Sequence, residues 1–209
     1  MHNNRSPRPL ILASASTTRQ QLLENAGLSF AVEPSDVDER RFDHLFKSKG
    51  NVAHARALAS AKARQISQSH PGSLVIGADQ TLTHQGALLH KVSDLQQARL
   101  RLQSLRGQTH ILTSALALAR DGDIIWDHAE SAGMSMNEFS DQELDEVIHL
   151  EGEELLFSVG CYRLEGPSIR LFKSISGDYF SILGLPLLPL LRALRQFGGL
   201  PENDSETGR

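Results

Sequence analysis

An α/β fold, with a mixed central sheet flanked by helices, is what the sequence predicts, and three observations carry it. Segments of helical period alternate with short apolar runs along the chain. One of those runs, Leu74-Val75-Ile76-Gly77-Ala78, is continuously apolar, as in a strand buried on both faces. Two long strand patterns, Ile111–Ala119 and Ile124–Met136, are separated by Asp121-Gly122, a hairpin signal that places an antiparallel pair in the same sheet.

The elements follow in order. Leu10–Ala13 reads as a first buried strand running into Ser14-Ala15-Ser16-Thr17-Thr18-Arg19. Thr17 with Gln20, or Thr18 with Gln21, spells a capping box, so a helix begins here, buries Leu22, Leu23 and Ala26, and ends at Gly27. Leu28, Phe30 and Val32 alternate as a strand stopped by Pro34. Arg40–Val52 is charged and aperiodic and reads as a mobile loop. Ala53–Gln68 is an alanine-rich helix with Ala57, Leu58, Ala61 and Ile66 inward, and Asp79 closes the strand after it. Ser93 and Gln96 cap a helix buried through Leu95, Ala98, Leu102 and Leu105 and ended by Gly107. After the hairpin, Ser140 and Glu143 cap a short helix, and Ile169–Ile175 alternates as a strand. Pro186 opens the last helix, with Leu187, Leu190, Leu191 and Leu194 inward and Gly198 closing it. Residues 10–198 read as a single domain, with polar, flexible tails at 1–9 and 199–209.

Composition narrows the function. Of 209 residues 40% are apolar and 22% charged, and 21 basic against 25 acidic residues leave a net charge of −4. That balance gives no support to a general nucleic-acid surface, which carries excess basic charge. Cys161 is the only cysteine, so an internal disulfide and a multi-cysteine zinc site are excluded and a reducing, cytoplasmic setting is expected. No run approaches the roughly 18 apolar residues of a membrane span. Arg5 and Arg8 precede Leu10, Ile11 and Leu12, but that apolar core is too short for a signal peptide. There is no G-x-x-x-x-G-K-[ST] loop, G-x-S-x-G elbow or H-E-x-x-H helix, which argues against Walker-type ATPase, serine hydrolase and zinc protease chemistry.

What remains handles phosphate. Ser14 and Ser16 lie in a strand-to-helix turn, where unpaired amides and the helix dipole hold anions, and Arg19 in the first turn offers a fork to phosphate oxygens. By periodicity alone the serines read first as helix caps and Arg19 as solvated, because caps far outnumber phosphate sites. Asp79 follows an apolar strand and emerges at its carboxyl end, where α/β folds gather ligands, suited to orient water or hold a divalent ion, or simply to close a turn. Lys62 and Lys91 flank that strand in sequence. Asp36-Val37-Asp38-Glu39 supplies oxygen ligands for Mg²⁺, or a solvated acidic turn. Cys161 has no histidine near it in sequence and reads as a small packed thiol, and His110 sits in a strand where it packs or hydrogen-bonds.

Together these segments resemble the Maf family of nucleoside triphosphate pyrophosphatases. LILASASTTRQQLLENAGLSFAVEPSDVDE is similar to its opening signature: an apolar strand, S-x-S, arginine, a helix, then S-x-V-D-E. The similarity continues through LASAKA with Lys62, VIGADQT with Asp79, LLHKV with Lys91, LRGQTHILTSALAL, GCYRLEG and GDYFSILGLPLLPLLRAL, in order over residues 10–198. The resemblance implies an architecture related to inosine-triphosphate pyrophosphatases, a homodimer, and cleavage between the α and β phosphates to give monophosphate and pyrophosphate. It implies a divalent cation, Mg²⁺ or Mn²⁺, held by Glu39 and Asp79. It makes Asp79 the acceptor of the water proton, and Arg19, Lys62 and Lys91 the groups that neutralise the polyphosphate. Its alternative in another class is a nucleotide-binding regulator of septum formation without turnover; a third reading is a phosphatase releasing orthophosphate.

The departures from the family pattern bear on the base. Gln80 and Glu165 resemble the branch that prefers 7-methyl-GTP, with Glu165 placed to accept from the N1–H and amino edge of a guanine-type base. Thr18 stands where that branch carries a stacking tryptophan, and Thr17 where many members carry proline. Ser158 and Val159 replace the K-A of the dTTP- and UTP-preferring branch. The preferred base is open between 7-methyl-GTP and pyrimidine triphosphates, with broad specificity a third possibility.

Overall fold

In the computed structural model, which describes residues 8–201, strand β1 (Leu10–Leu12) is wholly buried and pairs in parallel with β2 (Ala31–Val32) on one side and β3 (Leu74–His84) on the other. Helix α1 (Thr17–Asn25) connects β1 to β2, and α3 (Asn51–Ser69) leads into β3. The described chain comprises two compact units, residues 8–79, 114–129 and 184–201 in the first, and Gln80–Thr113 with Glu130–Leu183 in the second. Strands β3, β5 (Thr109–Arg120) and β6 (Asp123–Met136) contribute residues to both.

In the first unit the strand order is β2-β1-β3-β5-β6. Its core joins Ile11, Ala13 and Val75 to Ala115, Ala117 and Ala119 of β5 and to Ala55, Ala59, Ala63 and Ile66 of α3. The alanines lie four apart, one row along the helix. This row, rather than Ala57 and Ala61, is the buried one; those two are only half-buried. The last helix, Leu187–Phe197, follows Pro186 and ends at Gly198, whose φ of 81° is the left-handed conformation that closes helices at glycine. Arg8 N donates to Gly198 O at 3.0 Å. Of the expected tails at 1–9 and 199–209, residues 1–7 and 202–209 lie outside the described residues.

In the second unit, β4 (Ala87–Leu89) pairs antiparallel with the end of β3, and β7 (Phe172–Ser176) antiparallel with β6, so the sheet is mixed as expected. Helices α4 (Leu95–Leu105) and α5 (Asp141–Glu151) supply Ala98, Leu102, Leu105, Leu144 and Val147 to a core shared with Leu82, Met134, Met136 and Leu171. The β5–β6 turn has φ of 53° at Asp121 and 85° at Gly122, the doubly left-handed geometry of a tight hairpin.

Several further expectations change. Arg40–Val52 is ordered: a 3-10 turn (Glu39–Phe42) leads into α2 (Asp43–Lys49), whose Phe46 ring packs edge-on against His54 at 6.4 Å. Asp43 Oδ1 lies 3.7 Å from His54 Nε2. A seven-residue helix is too short to be stable alone, and its contacts with α3 are not visible in its own composition. The cap of α1 is Ser16, which accepts from Arg19 N, and that of α4 is Asp94, which accepts from Gln97 N. Ile169–Ile175 divides into a 3-10 turn over Pro167–Leu171 and β7, because Pro167 starts a turn it can enter without an N–H. Finally, β3 continues through Asp79 to His84, since the chain carries on as a strand and Leu82, Thr83 and His84 pair with β4.

His110 shows how burial sets stability here. It is 1% exposed, its Nε2 lies 2.7 Å from Tyr162 Oη, and burial, helped by His84, pushes its pKa down to about 4. The folded chain keeps this imidazole neutral while the unfolded chain protonates near 6.5. Between those values the unfolded state therefore binds more protons, and stability falls as pH drops from about 6.5 toward 4. A shift of this size corresponds to about 3 kcal/mol, fully present above pH 6.5. Melting temperatures across pH 4–7 are expected to fall less steeply in His110→Gln than in the parent.

Candidate active site

The site is assembled by how closely α3 lies against β3. Gly77 sits in the middle of that strand, and a Cβ there would be 2.1 Å from Ala59 O and 2.7 Å from Ala63 N. Only a glycine facing the alanine row lets helix and strand come this near. Asp79, two residues on, projects to the same face as Gly77 by strand alternation, while Lys62 precedes Ala63 on the helix. The outcome is direct: Lys62 Nζ donates to Asp79 Oδ1 and to Glu39 Oε1, both at 2.6 Å. The side chains of Asp79 and Lys62 are 6% and 12% exposed, and that of Glu39 is 58% exposed. One cation therefore gathers a buried and an exposed carboxylate onto the same point.

Asp79 lies in the interior of an eleven-residue strand, not at its end as the sequence suggested. Its position keeps the chemical sense of that reading. β1 ends at Leu12, opposite Ile76, and Ala13 N closes the ladder on Ile76 O, so Asp79 lies just past the carboxyl end of the parallel β2-β1-β3 portion.

Ser14, Ser16 and Arg19 form the adjoining turn. Ser14 is buried and its Oγ accepts from Ser16 N at 3.3 Å and from Arg19 Nη1 at 3.0 Å. Arg19 Nη1 also donates to Ala78 O at 3.0 Å, and its Nε to Gly184 O at 2.9 Å. The guanidinium expected to face phosphate thus ties α1 to the peptide that enters Asp79 and to the start of the last segment. Burial lowers its pKa, opposed by the charges of Asp79 and Glu39. The anchor Gly184 O is legible in the sequence only as one of the two glycines in GDYFSILGLP. Gly77, in contrast, carries a local signal, since glycine inside an apolar strand marks close backbone approach.

The other predicted residues belong to the second unit. Gln80 Nε2 donates to Ile182 O at 2.8 Å and Ser181 O at 3.3 Å. Lys91 is exposed in the irregular stretch after β4. Glu165 is exposed, 4.0 Å from Arg163 Nε. Cys161 is fully buried, and burial raises its thiol to about 11, which removes it as a nucleophile.

A divalent cation fits the first-unit cluster. Among the described residues no three His, Cys, Asp or Glu side chains gather as a metal cage. Mg²⁺, however, is commonly held by one or two carboxylates together with substrate phosphates and waters, and Glu39 and Asp79 converge as such a pair. The charges of Arg19 and Lys62 are balanced by Glu39 and Asp79, so a polyphosphate meets no surplus of positive charge from these four side chains.

A family model described as Maf-like protein matches residues 9–197. The chain belongs to the Maf-like family. Similar Maf-like relatives share nearly its whole length. A protein of Caulobacter vibrioides named nucleoside triphosphate pyrophosphatase is 50% identical over 92% of this chain and 97% of its own. One of the same name from Granulibacter bethesdensis is 48% identical over 91% and 98%. A 7-methyl-GTP pyrophosphatase of Rhizobium johnstonii is 45% identical over 91% and 97%. Among solved structures, a nucleoside-triphosphatase / dITP/XTP pyrophosphatase of Mycobacterium abscessus aligns over 91% of this Maf-like chain and 94% of its own, at 13% identity and a TM-score of 0.41, too loose a likeness to bear on the site.

Proposed function

We propose that this Maf-like protein is a nucleoside triphosphate pyrophosphatase that hydrolyses the α–β phosphoanhydride to a monophosphate and pyrophosphate. The observation that carries the reading is Lys62 Nζ held at 2.6 Å from both Glu39 and Asp79 at the carboxyl edge of the parallel strands. The names and close similarity of its relatives support it over a non-catalytic regulator of septum formation.

In this mechanism Asp79 accepts the proton of the attacking water. Lys62 occupies one of its oxygens, which fixes the carboxylate plane and leaves the other to face the water. Lys62 also neutralises charge developing on the phosphates, as preorganised cations do in phosphoryl transfer. The Ser14–Ser16 turn, at the positive end of α1, holds phosphate oxygens, with Arg19 rigidifying the turn through Ser14 Oγ. Mg²⁺ or Mn²⁺ on Glu39 and Asp79 would supply the positive charge that these side chains lack. Lys91 is read as a further cation that neutralises phosphate, and Gln80 and Glu165 as residues that bear on the base. Their identity favours 7-methyl-GTP, while Thr18 withholds a stacking surface, so preference within the class is decided by assay. Removal of non-standard nucleotides, a homodimer and a cytoplasmic setting complete the proposal.

Incubating purified protein with Mg²⁺ or Mn²⁺ and UTP, dTTP, CTP, GTP or 7-methyl-GTP tests it. Monophosphate and pyrophosphate are expected, with turnover abolished by a chelator and restored by either metal. Orthophosphate as the sole inorganic product, or nucleotide binding without turnover, would overturn the proposal.

A further inference from the structure

Arg101, on α4, takes no part in the mechanism above, yet it joins two segments of the second unit that do. Its Nη1 donates to Val159 O at 3.0 Å and its Nη2 to His90 O at 3.1 Å. The His90 carbonyl shares a planar peptide unit with the nitrogen of Lys91, so fixing that oxygen fixes the plane from which the Lys91 side chain departs. Lys91 otherwise lies in a stretch without regular structure, between β4 and the cap of α4.

The Val159 carbonyl similarly shares its peptide plane with Gly160, at the head of the turn that carries Glu165. That turn is stiffly built. A Cβ on Gly160 would be 2.2 Å from the Tyr162 ring, and Cys161 holds a φ of 59°, unusual for a residue other than glycine. Tyr162 is anchored by His110, and at the far end Glu151 Oε1 accepts from both N and Oγ of Ser168 at 2.6 Å. A planar guanidinium reaches two acceptors at a set spacing in a way that a lysine ammonium does not.

We infer that Arg101 is a positioning residue for the hydrolysis, holding the Lys91 peptide in fixed relation to the Gly160–Gly166 turn. The inference rests on the proposed reaction, in which Lys91 neutralises phosphate. Because Arg101 acts through Lys91, its effect depends on Lys91 being present, which a general contribution to folding would not.

Pyrophosphate release is compared for the parent, Arg101→Met, Arg101→Lys, Lys91→Ala and the Lys91→Ala/Arg101→Met double variant, each checked by circular dichroism and thermal melting. Arg101→Met keeps the apolar stem and removes both donors. It is expected to lose about tenfold in kcat/KM, as the loss of charged hydrogen bonds would give. Arg101→Lys is expected to recover only part of it, since one ammonium cannot restore the fork. The double variant is expected to fall no lower than Lys91→Ala, the signature of two residues in one chain of action. Multiplicative losses, unchanged kcat/KM in Arg101→Met, or no loss in Lys91→Ala would overturn the inference. Should Arg101→Met not fold, Arg101→Lys decides: parental kcat/KM in it also overturns the inference. A parent without turnover would instead sink the reaction on which the inference rests.

Discussion

Asp79→Asn is expected to lower pyrophosphate release by about 10²–10⁴, the contribution typical of a general base, while the chain stays folded. Asparagine keeps the shape of the side chain, and its oxygen can still accept from Lys62, so the position of α3 against β3 is retained. What disappears is the negative charge and, with it, the ability to take a proton from water. Removing one partner of a buried ion pair can cost about 3–5 kcal/mol when the remaining charge is stranded. Lys62 keeps its contact with Glu39, so the stability loss should fall below that range. Coupled detection of pyrophosphate, with circular dichroism on the same sample, separates the two effects. Parental turnover in a folded variant would remove Asp79 from the role of base.

Gly77→Ala is the second large effect, and it acts on the fold before the chemistry. The new methyl would meet Ala59 O and Ala63 N, which are helix backbone and cannot rotate aside, and also the Ala63 Cβ at 2.8 Å. α3 must move away from β3 as a body. Overpacking of this kind costs about 1–3 kcal/mol and occasionally more, and contact with backbone places this case at the upper end. For a chain of this size each kcal/mol lowers the melting temperature by about 2–4 °C. The same displacement draws Lys62 from Asp79, so activity should fall even well below the melting transition. A fall in melting temperature with undiminished activity would show that the closeness of α3 to β3 matters to stability alone.

Much of the architecture is written locally. The run Leu74–Ala78 needs no partner to read as a buried strand, and Asp121-Gly122 needs only its own φ preferences to read as a hairpin. Pro186 and Gly198 bound the last helix because one lacks an N–H and the other tolerates a left-handed φ. Ser140 caps its helix as expected, accepting from Glu143 N. By contrast, α2 gains its stability from Phe46 and Asp43 meeting His54, and that information lies on another helix. The extent of β3 past Asp79 depends on β4 being there to pair with it.

The candidate site divides along the same line. The sequence by itself determined which residue types are available, Ser14, Ser16, Arg19, Glu39, Lys62 and Asp79, since their order along the chain suffices for the resemblance. The close approach at Gly77, where a Cβ would be 2.1 Å from Ala59 O, is a finding of the structure. Only the tertiary structure decided that Lys62 Nζ would gather Glu39 and Asp79 at one point. Likewise it decided that Arg19 would spend its donors on Ser14, Ala78 and Gly184, and that Arg101 would clasp the His90 and Val159 carbonyls. The physical reason is that a charged side chain is placed by the acceptors that compensate its desolvation. Apart from Ser14, five residues before Arg19, those acceptors come from segments 11 to 165 residues away along the chain, beyond any periodicity that a local pattern can express.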